Sequence, residues 1–141
     1  ITVLRLASEE NNTDIVDLLL THPKIMLEYK CFENCAKLTQ ITLPPSITEI
    51  TCYTFANCSS LTTVIIPSTV TQIENHAFYR CSSLKTIKIP DSVKSIQQSC
   101  FQECSSLSEI ELPPCLTRIE DSCFDSCTSL TEINQDSSNS I

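Results

Sequence analysis

A chain of 141 residues with 41% hydrophobic content carries enough apolar side chain for one packed unit of ordinary size. Seventeen acids against nine bases leave a net charge of −8, which repels phosphate backbones and argues against nucleic acid as a partner. No stretch approaches the roughly 20 consecutive apolar residues needed to cross a bilayer, and no basic segment precedes an apolar run at the start, so membrane insertion is not expected. The first residue is Ile1 and the last stretch is polar, which reads as a segment of something longer.

In chain order, residues 1–28 come first and predict two short helices. Ile15, Leu18 and Leu19 fall at i, i+3 and i+4 after the polar start Asn11-Asn12-Thr13-Asp14, and Pro23 halts the second helix. Thr2, Leu4, Leu6 and Ala7, followed by Ile15, Val16, Leu18, Leu19 and Leu20, resemble the TPLHLA start and IVxLLL helix of an ankyrin repeat. Val3, Arg5 and Asn11-Asn12 stand where that pattern has proline, histidine and Gly-His. A single such unit is too small to be stable alone, so it is expected to close the end of whatever follows or to join further repeats.

Residues 29–134 repeat at a period of 23. Phe32, Phe55, Phe78, Phe101 and Phe124 form one column, Cys35, Cys58, Cys81, Cys104 and Cys127 a second, and Leu38, Leu61, Leu84, Leu107 and Leu130 a third. Further columns run from Ile41 to Ile133, from Leu43 to Leu112, from Pro44 through Pro67 and Pro90 to Pro113, from Ile47 to Leu116 and from Ile50 to Ile119. Each unit has about seven apolar positions, too few to exclude water alone, so the units must stack and bury one another's faces. Within a unit, LxxIxL alternates and is β-branched, as in Val64, Ile65 and Ile66, which predicts a short strand ended by proline. Stacked strands predict a parallel sheet. The VxxI stretch suits either a second extended piece or the start of a helical turn; we expect the extended piece, followed by one helical turn around AFxxC. After Ile133 the pattern fails, and 135–141 read as a polar tail.

These columns resemble the leucine-rich repeats of the BspA-like class, LxxIxLPxxVxxIxxxAFxxCxx, over residues 29 to 133. The resemblance implies an α+β repeat solenoid, here with the helix pair in front. Thr51, Glu74, Gln97 and Glu120 stand where the class often has glycine, and the chain has no glycine at all. Either these residues adopt the glycine's backbone angle, or the turn differs.

The ten cysteines leave the redox compartment open. The repeated ones are expected to act as small buried hydrophobes. Stacked equivalents should lie about 5 Å apart, inside the disulfide window, and Cys100 with Cys123 is the pair expected to bridge in an oxidising setting. A zinc site from Cys100, Cys104, Cys123 and Cys127 is the sharper alternative, weakened by C-x3-C spacing where C-x2-C is usual. His22 and His76, the two possible neutral-pH bases, are expected to be solvated and sit in different segments. The lack of glycine excludes a phosphate-cradling loop, and no local signature brings a histidine to a cysteine nucleophile, so no enzyme or cofactor is expected; nor, given the cysteine spacing, is a metal. Asn11-Asn12-Thr13 and Asn57-Cys58-Ser59 are glycosylation sequons of little weight.

Function is expected on the concave strand face. Residues between the buried ones form two outward columns: Gln40, Thr63, Thr86, Glu109 and Glu132, then Thr42, Ile65, Lys88, Glu111 and Asn134. They vary while the apolar columns repeat, as in a rigid frame with a tunable surface; soluble outward residues with no role would look similar. The face grades from neutral to acidic, so a protein or peptide with a basic patch is the expected partner. The BspA-like resemblance implies the alternative of a cell-surface adhesin or antigen, whereas the ankyrin-like start implies an intracellular scaffold. The unfinished last unit also leaves an open sheet end where a second copy could pair.

Overall fold

The computed structural model describes residues 3–10, 13–23, 25–27 and 29–135. Thr2, Asn11 and Asn12 of the first sequon, and the tail residues 136–141 lie outside the described residues.

Two helices, α1 (Val3–Glu9) and α2 (Thr13–Leu20), precede nine short strands. Leu4 and Ala7 on α1, and Val16 and Leu20 on α2, are buried and belong to the same apolar cluster as Phe32 and Cys35 of the adjacent coil. The buried side of α2 is therefore set by Val16 and Leu20. Of the residues expected there, Leu18 is 70% exposed, Leu19 is half-buried, and the side chain of Ile15 lies outside the described residues. Arg5 ties α1 to the coils: its Nη1 donates to the Lys30 carbonyl at 2.8 Å while its Nε pairs with Glu9 at 2.9 Å.

Each complete 23-residue coil contributes two strands, and the last repeat one among the described residues. One set is β1 (Gln40–Thr42), β3 (Thr63–Ile65), β5 (Thr86–Lys88), β7 (Glu109–Leu112) and β9 (Glu132–Gln135); the other is β2 (Glu49–Ile50), β4 (Gln72–Ile73), β6 (Ser95–Ile96) and β8 (Arg118–Ile119). All pairings are parallel and displaced by one repeat, as Ile41 opposite Val64 and Ile110 opposite Ile133 show. The VxxI stretch is thus extended, as expected, and builds the four-stranded sheet β2-β4-β6-β8. On the first face the ladder is interrupted. β1 pairs with β3, and β5-β7-β9 form a separate sheet, with no pairing between β3 and β5.

Between the sheets the repeated side chains stack in register. Successive phenylalanines from Phe32 to Phe101 sit 5.2 to 5.3 Å apart, and Phe124 follows at 5.8 Å, with rings within 11° of parallel. Phe32, Phe55, Phe78 and Phe101 are wholly buried, each worth about 1.5–3 kcal/mol in apolar burial, with offset stacking adding to it. The repeated cysteines are more than filler. Sγ of Cys58, Cys81, Cys104 and Cys127 donates to the carbonyl of Phe32, Phe55, Phe78 and Phe101, at 3.0 to 3.1 Å. Each of those carbonyls also accepts an N–H from the cysteine three residues on, so the thiol satisfies its second lone pair.

The expected helical turn around AFxxC is replaced by tight turns. N–H groups of Ala56 and Cys58 reach the carbonyls of Tyr53 and Phe55, three residues back. Positive φ falls in two columns, at Lys30, Tyr53, His76, Ser99 and Ser122 and at Asn34, Asn57, Arg80, Glu103 and Ser126, not at Thr51, Glu74, Gln97 or Glu120. The reason lies in the ladder along the stack. Tyr53, Asn57, His76, Arg80, Ser99 and Glu103 each donate their N–H to a carbonyl of the next coil, at 2.7 to 3.2 Å. The phenylalanines between them donate to the next coil in the same way, and these hydrogen bonds along the stack offset the penalty of placing a Cβ at the left-handed positions.

Candidate interaction surface

The strand face arises because residues i and i+2 of a strand point the same way. Ile41, Val64, Ile87 and Ile110 turn inward, and their neighbours turn to water. Gln40 and Thr42 stand opposite Thr63 and Ile65 across β1 and β3; Thr86 and Lys88 stand opposite Glu109 and Glu111 across β5 and β7; Glu132 and Asn134 continue the two columns on β9. All are exposed except Glu111, which is half-buried. The candidate residues therefore form one surface, divided between β3 and β5.

Two contacts within the face engage the acidic end, one of them an ion pair. Lys88 Nζ pairs with Glu111 at 2.9 Å, and Asn134 Nδ2 donates to Glu109 at 2.8 Å. Both contacts are exposed and so worth little in stability, but they hold two carboxylates in fixed positions. Glu132 enters none of the ion pairs among the described residues. At the break in the ladder lies a cleft of about 240 Å³ lined by Val64, Ile65, Ile66, Lys88 and Pro90. Ile65, the one apolar residue in the two outward columns, is 55% exposed there.

The thiols and imidazoles do not assemble a reactive centre. All ten cysteines are free, including Cys100 and Cys123. Burial, the main cause, pushes the Cys35 thiol up to about 11 and Cys123 up to about 12, and lifts Cys58, Cys81, Cys100 and Cys104 further, the reverse of what a nucleophile needs. Among the described residues no group of three or more His, Cys, Asp or Glu converges as metal ligands. His22 is exposed, as expected. His76 is not a solvated side chain: it stacks on Tyr53 at 4.6 Å, its Nδ1 is buried without a partner, and burial lowers its pKa.

His76 belongs to a surface cluster the sequence reading missed. All three tyrosines of the chain gather there: Tyr29 meets Tyr53 edge-on at 6.2 Å, and Tyr79 meets His76 edge-on at 5.5 Å. Lys30 lies over Tyr29 and Tyr53, and Arg80 over Tyr79, where it also pairs with Glu103 at 2.7 Å. The signal available was the period itself, which sets Tyr29, Tyr53, His76 and Tyr79 on neighbouring coils.

The model of the BspA type leucine-rich repeat region matches residues 25–141 in six copies. The chain belongs to this family. Among solved structures, the BspA-type chain is similar to a leucine-rich repeat protein of T. pallidum, with 31% identity, a TM-score of 0.75, and 77% of this chain matched to 51% of that one. It is equally similar in shape to a leucine-rich cell surface protein from Faecalibacterium prausnitzii, with 33% identity, a TM-score of 0.75, and 82% of this chain matched to 30% of that one. A leucine-rich repeat protein from Eubacterium ventriosum, 22% identical with a TM-score of 0.71, shares the fold; 81% of this chain matches 30% of it. The chain thus spans about half the length, or less, of these solved relatives. No curated protein matches it. BspA-type repeats typically serve as protein-interaction or surface-protein scaffolds, and the family and fold are generally non-enzymatic.

Proposed function

We propose that this BspA-type chain is a non-enzymatic interaction module that binds a basic segment of a protein or peptide on its strand face. The observation that carries the reading is the contrast between an invariant buried frame and outward columns that vary and end in Glu109, Glu111 and Glu132. A rigid scaffold with an acidic edge attracts lysine-rich partners and fixes their position. The test is binding of a fluorescent peptide of about six lysines and serines at low and high salt. Glu132→Lys combined with Glu109→Lys should weaken binding roughly tenfold or more. Unchanged affinity would refute the reading.

A second reading, a cell-surface adhesin or antigen, draws support from the similarity to the F. prausnitzii cell surface protein. In both readings we take residues 1–28 as an ankyrin-like helix pair that covers the first coil, supported by the burial of Leu4, Ala7, Val16 and Leu20 against it. Pairing of a second copy beside β9, the outermost strand among the described residues, is a further proposal, supported by the 53% exposure of Ile133.

A further inference from the structure

We propose that the strand face takes an extended peptide in a defined register: a large aliphatic side chain seats in the cleft between β3 and β5, and a lysine or arginine a few residues along meets Glu109 and Glu132. The inference rests on the proposed function and adds the partner's chemistry to it.

Three observations converge. The ladder is interrupted between β3 and β5 on this face, and a cleft of about 240 Å³ with a mainly aliphatic lining lies where these two coils meet. Its walls are Val64, Ile65, Ile66 and Pro90, with the stem of Lys88 at the rim, so an apolar side chain fits and a charged one would lose its hydration. Lys88 does not present a free cation there, because its ammonium is held 2.9 Å from Glu111. The exposed carboxylates that no cation among the described residues pairs, Glu109, which accepts only from the neutral Asn134 amide, and Glu132, lie two and three coils beyond Ile65 and in the neighbouring column. At about 4.8 Å per coil and about 3.3 Å per extended residue, that distance is bridged by roughly three to five residues of peptide. Apolar anchor and basic residue therefore have a spacing, not merely a composition, and charge complementarity fixes the end at which the base must sit.

The experiment measures fluorescence anisotropy of labelled serine peptides, about eight residues long, on the full chain. One carries leucine and, about four positions on, two lysines; others replace leucine by alanine, shift the lysines next to it, or replace the lysines by serine. The leucine peptide with the wide spacing should bind roughly tenfold or more tighter than its alanine version, as expected for burying one aliphatic side chain. Ile65→Ser should erase that difference while leaving the lysine-dependent part of the affinity, and Glu132→Lys should do the converse. Ile65 is on the surface, so the variant should fold, and an unchanged circular dichroism spectrum confirms it. Equal affinity for leucine and alanine peptides, or indifference to the spacing, overturns the inference while the basic-segment reading survives through Glu132→Lys. Indifference to the lysines overturns both.

Discussion

Cysteine does more in this chain than occupy a small apolar hole. Its thiol stays protonated because burial disfavours the thiolate, and the proton is what donates to the phenylalanine carbonyl of the preceding coil. The sign of the consequence follows. A thiol whose folded pKa is raised contributes stability that is complete below its ordinary value of 9.0 and is lost as pH climbs from there, through about 11 for Cys35 and about 12 for Cys123. Thermal melts should therefore be flat in this respect from pH 7 to 8.5 and then fall progressively towards pH 10.5, a range set by those thiols. A melting temperature that held steady across that range would show that thiol protonation does not support the stack. The simple reading of these residues as buried hydrophobes was available from the column alone; their donor role was not, because the acceptor lies on another coil.

The turn is the element where sequence and structure part. Glycine is absent, and of the two alternatives at Thr51, Glu74, Gln97 and Glu120 the turn differs: positive φ falls two residues on, in a column where Tyr53, His76 and Ser99 donate their N–H to the next coil. Ser99 is the most telling case. It is buried, has φ of 55°, and donates to the Asp121 carbonyl at 3.1 Å. Ser99→Gly should leave stability within about 1 kcal/mol of the parent, since relief of the left-handed strain offsets the glycine's greater freedom when unfolded. Ser99→Val should cost at least about 2 kcal/mol, because a β-branched residue resists this conformation. Urea denaturation of both variants checks the pair, and equal stability would show that backbone angle is not the constraint. Helix α2 shows the same limit of local pattern: spacing alone fits Ile15, Leu18 and Leu19, but the buried residues that join the apolar cluster are Val16 and Leu20.

At the scale of the molecule, stability is a sum over neighbouring coils. The last isoleucines of two columns show how burial depends on a neighbour among the described residues: Ile119 is 44% exposed and Ile133 53%, whereas their equivalents Ile96 and Ile110, with a described strand on both sides, are wholly buried. Removing residues 59–81 joins Cys58 to Ser82 and keeps every column in phase. The shortened chain should fold with the same circular dichroism shape, with a urea m-value lower by roughly a sixth, in proportion to the 23 of 141 residues removed. Failure to unfold cooperatively would mean that the stack is not built from nearest-neighbour contacts.

The period, the inward columns, both sets of strands and the two outward columns of the candidate surface could be read from the chain, because a solenoid repeats in space whatever repeats in sequence. Ile65, Lys88, Glu109, Glu111 and Glu132 were placed on one face by spacing alone. What only the tertiary structure decided is how neighbouring coils meet: where the ladder opens beside Ile65, which carboxylates are already held by Lys88 and Asn134, and how Tyr53 and Tyr79 close over His76. Such contacts depend on pairs of different residues across a coil boundary. A column of like residues carries no record of them, since the energy of each pair is set by the distance and orientation that stacking imposes.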